Sequence, residues 1–160
     1  MESSSLLPYE VTEESEWNYS FVTKDGIVYH AYFIDFSIYH SAFNEVYTFN
    51  IEPETITPHP IDNRIAQTVV YLLTSFFRAK ERAMIMVCDN LDGKEEKRKA
   101  LFSRWFLKYN DGRIIKYDAA VTTDDYQLYV SIYLNKNNFQ QNELVAAFYD
   151  LVKNNLYPID

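Results

Sequence analysis

A five-residue apolar run, Met84-Ile85-Met86-Val87-Cys88, places the tightest constraint on how this chain can fold. It is too short for a helix of its own and has no polar alternation. A strand of that kind must be covered on both faces, so it belongs in the interior of a sheet with elements packed above and below. The residues on either side have to supply that cover.

They carry the periods needed to do so. Tyr19, Phe21 and Thr23 alternate with polar neighbours, Asp25-Gly26 provides a turn that accepts positive φ, and Ile27, Tyr29, Ala31 and Phe33 return. This spacing predicts a hairpin. A third strand is expected through Tyr47, Phe49 and Ile51, closed by the proline-rich stretch Glu52–Pro60, which cannot donate to a central ladder. Asp62 is an expected N-cap for a first helix. Its stripe runs through Ile65, Val69, Leu72 and Phe76, broadened by Ala66, Val70, Leu73 and Phe77. After the Met84–Cys88 strand, Asp89–Gly93 reads as a turn. A second helix follows, with Glu95 and Glu96 in its first turn, a stripe of Leu101, Phe102, Trp105 and Tyr109, and an Asn110-Asp111-Gly112 cap. A second hairpin is expected to join Arg113–Val121 to Tyr126–Leu134. A third helix, opened by Asn138 and Gln141, buries Leu144, Phe148, Leu151 and Val152.

The resulting order is βββ-α-β-α-ββ-α: an α/β chain of α+β type with a mostly antiparallel, twisted sheet. Residues 1–160 form one expected domain, with the acidic, serine-rich stretch 1–16 loose at its start. A chain of this length buries roughly 70% of its unfolded surface. Aromatic residues make up 17% of it, mostly Tyr and Phe, which suits half-buried sheet faces and contact surfaces.

Charge and motif content narrow the function classes. A net charge of −8 opposes non-specific binding to phosphate backbones. The basic residues Lys94, Lys97, Arg98, Lys99 and Arg104 read as a solvated helix face. Cys88 is the single cysteine, so no intramolecular disulfide forms. The first eight residues lack a secretory pattern and no apolar run reaches the ~20 residues of a membrane span, so a soluble, cytoplasmic protein is expected. His30, His40 and His59 are not spaced as metal ligands, and no metal is expected. Asp89-Asn90-Leu91-Asp92-Gly93 lacks the alternating third ligand and distant glutamate of a calcium loop. Ser75 and Ser103 lie inside helices without a nucleophile elbow, and Cys88 closes a buried strand that would keep its thiol inert.

Two regions remain as candidate sites. The carboxyl end of the Met84–Cys88 strand, beside a helix amino terminus, gathers Asp89, Asn90, Asp92, Lys94, Arg98 and Arg104 as a candidate polar cleft. The loop carrying Phe36, Ile38, Tyr39 and Phe43 puts apolar residues where turn residues are usual, which suggests an interface for a protein partner or a second copy.

The element order resembles the core of the acyl-CoA N-acyltransferases, above all over Asp62–Asn110. That resemblance implies acetyl-CoA as cofactor, held where the first long helix opens, at Asp62, Asn63, Arg64, Ile65 and Ala66. Two departures stand out. Pro60–Ala66 contains no glycine for backbone approach to a diphosphate, and Phe102 stands where a proton-donating tyrosine is common. The segment Met86-Val87-Cys88-Asp89, with Arg98 and Leu101-Phe102-Ser103-Arg104-Trp105-Phe106, is also similar to a small bacterial family known as a domain of unknown function. The expected function is therefore a non-catalytic cytoplasmic binding protein without a cofactor, the alternative being a divergent acetyl-CoA-dependent N-acyltransferase.

Overall fold

The computed structural model describes residues 7–55, 62–89, 106, 112–122 and 127–155. Seven strands and two α-helices are present among them. The strands are β1 (Thr12–Ser15), β2 (Asn18–Val22), β3 (Val28–Asp35), β4 (Val46–Pro53), β5 (Ala83–Asp89), β6 (Ile114–Thr122) and β7 (Gln127–Asn135); the helices are α1 (Asn63–Phe76) and α2 (Gln141–Asn155). The class is α+β, with a mostly antiparallel sheet in the order β1-β2-β3-β4-β5-β7-β6. The parallel pair is β4 with β5, where Val46, Tyr47 and Thr48 stand opposite Ala83, Met84 and Ile85. No described helix is long and apolar enough to cross a membrane.

The chain divides into two compact units, residues 1–34 with 49–78, and residues 35–48 with 79–160. In the first, β2 and β3 form the hairpin expected from alternation, in the register Phe21↔Tyr29 and Val22↔Val28. Gly26 sits at φ 80° in its turn, where a Cβ would be strained, and donates its amide to Thr23 O at 2.9 Å. The inward residues Phe21, Tyr29, Ala31 and Phe33 are buried. Phe33 stacks on Phe76 of α1 at 4.6 Å between centroids, and Trp17 meets both rings edge-on. In α1, Leu72, Leu73 and Phe76 are buried as expected, and so is Thr68, a polar residue in the stripe.

β1 is an addition to the expected order. Thr-Glu-Glu-Ser carries no apolar alternation and all four residues are exposed; it pairs with β2 at the sheet edge through backbone, and Ser20 Oγ donates to Glu14 Oε2 at 2.6 Å across the pair. Acidic side chains on a short edge strand also discourage further pairing.

In the second unit, Ala83, Met84, Ile85 and Met86 are all buried, which gives β5 the two-sided cover that its composition demands. The β6–β7 hairpin lies within a residue of the expected bounds, and β7 pairs with β5 from Ala83↔Leu134 to Asp89↔Leu128. Leu144, Ala147, Phe148 and Leu151 of α2 pack on the face formed by Ala83, Ile85, Val130, Ile132 and Leu134. Asn138 takes the Gln140 amide on its side chain at 2.8 Å, while the Gln141 amide goes to its main-chain oxygen, so the expected capping box is replaced by a tighter Asx turn. The second expected helix lies outside the described residues except for Phe106, which is helical.

Phe148 leaves no surface exposed, whereas Phe139, in the turn before α2, is exposed. Phe148→Ala is expected to lower the unfolding free energy by about 3–5 kcal/mol. Phe139→Ala should change it by less than about 0.5 kcal/mol, both read from urea titrations.

Candidate functional site

The loop between β3 and β4 is built by competition between apolar side chains for the core. A single 3-10 turn, Ser37–Tyr39, follows Phe36. Asp35 accepts the Ser37 amide at 2.8 Å, and the Ser37 hydroxyl, then this amide, hold its carboxyl below the usual carboxylate range. The Phe36 amide donates to Val46 O at 2.8 Å, which ties the start of the loop to the start of β4. Phe36 packs against the core and makes tilted ring contacts with Tyr39 at 4.5 Å and Phe43 at 6.1 Å.

Phe43 departs from the sequence expectation. It is 4% exposed and belongs to the core around Val46, Ile85 and Phe148, so it roots the loop and is not part of a contact surface. Ile38 and Tyr39 do face outward, 85% and 43% exposed. The turn therefore displays two apolar side chains on a base anchored by two others.

His40 fixes the loop from its far side. Its Nδ1 accepts the Ala42 amide at 3.0 Å, so the ring proton lies on Nε2, which donates to Asp150 Oδ2 of α2 at 3.0 Å. Both nitrogens are engaged in this tautomer. The imidazole holds structure here, bridging the loop to α2. Local sequence gives no sign of the bond, because its partners lie 110 positions apart.

The opening of α1 is equally occupied. Asp62 is the N-cap, as expected: Oδ1 accepts the Arg64 amide at 2.9 Å and the main-chain oxygen accepts the Ile65 amide at 3.0 Å. Its other carboxylate oxygen accepts from the Tyr9 hydroxyl. Arg64 places its guanidinium over the Tyr9 ring and donates from Nε to Leu7 O at 2.8 Å. Asn63 is exposed, while Ile65 and Ala66 are half-buried along α1. Two amides that an anion would need are thus already taken by Asp62.

Asp89 is the last residue of β5; Asn90, Asp92, Lys94, Arg98 and Arg104 lie outside the described residues. His30 approaches Glu54 at 3.5 Å, and His59 lies outside the described residues. Among the described residues, no three His, Cys, Asp or Glu side chains gather to hold a metal. One polar row escaped the sequence reading. Asp118 of β6 accepts from Ser131 of β7 at 2.5 Å and pairs with Lys116 at 3.3 Å. The signal was present as two charges, at positions 116 and 118, on one face of an otherwise apolar strand.

Two measurements check these placements. Phe43→Ala should cost about 3–5 kcal/mol of stability and Ile38→Ala less than about 0.5 kcal/mol in the same urea assay. Burial, then the bond to Asp62, push the Tyr9 hydroxyl above its usual pKa. A group whose pKa is raised on folding lends stability that is complete below the unfolded value, near 10, and is lost as pH rises through the folded one. Wild type should therefore lose stability above pH ~10 more steeply than Tyr9→Phe, which has no proton to release at that position.

No curated protein matches this chain. A family model described as a family of unknown function covers residues 61–150, a stretch that includes α1, the two-sided strand β5, the β6–β7 hairpin and most of α2. The chain belongs to that family, DUF6169.

Proposed function

We propose that this protein is a non-catalytic binding protein whose contact surface is the turn at Ile38 and Tyr39, used for a protein partner or a second copy of the chain. The observation that carries the reading is an 85% exposed isoleucine beside Tyr39, on a loop whose Phe36 and Phe43 are rooted in the core. A large aliphatic side chain held in water gains free energy only when a partner covers it, roughly 1.5–3 kcal/mol for full burial. Tyr39 beside it offers ring area together with a hydroxyl that can stay hydrated at an interface rim.

The chemistry around the surface agrees with binding. His40, the residue after the turn, spends both ring nitrogens on Ala42 and Asp150. At the opening of α1, where an acyltransferase-like element order would put coenzyme A, the Asp62 carboxylate occupies helix amides and carries the wrong sign for a diphosphate.

A photo-crosslinking residue at position 38, compared with one at Glu13 on the exposed acidic edge of β1, tests the proposal in cells expressing the protein. Adducts at 38 and none at 13 are expected. Their mass tells a second copy from a different partner. An absence of adducts at 38 would overturn the assignment.

A further inference from the structure

The opening of α1 grips one aromatic side chain as a binding slot grips a planar ring. Tyr9, 7% exposed, lies parallel to Phe21 (12° between planes, centroids 5.8 Å apart), and Phe21 lies parallel to Tyr29 at 5.4 Å. The Arg64 guanidinium carbon stands 4.0 Å from the centre of the Tyr9 ring. The ring is thus flanked by a cation and an aromatic face, the two surfaces on which flat heterocycles stack. At its edge the hydroxyl does two things at once. It donates to Asp62 Oδ2 and accepts the Lys24 amide at 3.1 Å.

The segment that delivers this ring is lightly held. Leu7–Val11 contains no helix or strand, and pairing with β2 begins only at Thr12. Two side chains of α1 hold its main chain. Arg64 donates from Nε to Leu7 O at 2.8 Å and from Nη2 to Pro8 O at 3.5 Å, and Thr68 Oγ1 accepts the Tyr9 amide at 2.8 Å. A strap clipped by side chains opens at lower cost than a ladder-bonded strand.

We propose that this slot is a binding site for a purine base of the adenine type, and that Tyr9 fills it in the absence of ligand. Adenine reproduces what the tyrosine presents: a flat ring for Arg64 and Phe21, and an edge on which the 6-amino N–H meets the Asp62 carboxylate and N7 accepts the Lys24 amide. Thr68 and the second Asp62 oxygen keep their present bonds within α1, at 2.7 Å to Arg64 O and 2.9 Å from the Arg64 amide. The site does not depend on the Ile38 surface, and neither result bears on the other.

Calorimetry with adenosine, inosine and p-cresol on wild type and Tyr9→Ala tests it. Tyr9→Ala should bind adenosine at least tenfold more tightly than wild type, because no internal ring must first leave. Inosine, which turns a carbonyl oxygen toward Asp62, should bind at least tenfold more weakly than adenosine. Adding Asp62→Asn, which can still cap α1 while offering an N–H to the ligand, should reverse that preference. Binding of p-cresol alone, equal binding of the two nucleosides, or no binding at all would each overturn the proposal. If Tyr9→Ala does not fold, NMR of tyrosine-labelled wild type decides. Millimolar adenosine should move the Tyr9 ring resonance toward its solvent-exposed position, and an unmoved resonance would overturn the proposal.

Discussion

Two-sided burial of β5 is the constraint on which the second unit depends. Ala83 through Met86 have almost no exposed surface, so both faces of the strand are covered, and both of its edges take a neighbour. β7 supplies one through an antiparallel ladder from end to end, and the first residues of β4 supply the other in parallel. The parallel pairing shapes the loop that precedes β4. Ala83 donates its amide to Glu45 O at 3.0 Å, and Glu45 takes φ 60° to turn the chain into the strand. A non-glycine residue in that region is strained and stays there only when its surroundings hold it. With the entry to β4 fixed, Phe43 has one place to go, the core beneath α2, and the turn above it has to carry Ile38 and Tyr39 outward.

Much of this was readable from residues alone, because it follows from local period. Alternation from Tyr19 to Phe33 around Asp25-Gly26 marks the hairpin, and the strand interior shows in Met84–Cys88. What escaped comes from contacts between distant positions. Phe43 looks like a loop aromatic beside Ile38, and only the tertiary core distinguishes them. The His40–Asp150 bond joins a loop to a helix near the other end of the chain. Thr68 reads as a gap in the α1 stripe but is buried with its hydroxyl donating to Arg64 O, which lets a polar residue sit inside. β1 has no apolar signature because all four of its residues are exposed.

The candidate site follows from the same division of labour. Titratable groups near the loop and at the opening of α1 are committed to structure: His40 to the turn, Asp62 to a helix cap and a tyrosine, Arg64 to the strap. Side chains engaged in this way hold shapes and present surfaces. That is the physical support for the two proposals made above, a contact surface at Ile38 and Tyr39 and a ring-shaped slot at the opening of α1.

The central claim is that the loop is a rigid platform rooted in the β5 core. Native-state hydrogen exchange resolved to single amides tests it most directly. The amides of Ala42 and Phe43, bonded to His40 Nδ1 and His40 O, should exchange within about tenfold of the rate at Ile85. Exchange of those two amides near the rate of an unstructured chain, with Ile85 still protected, would contradict the claim.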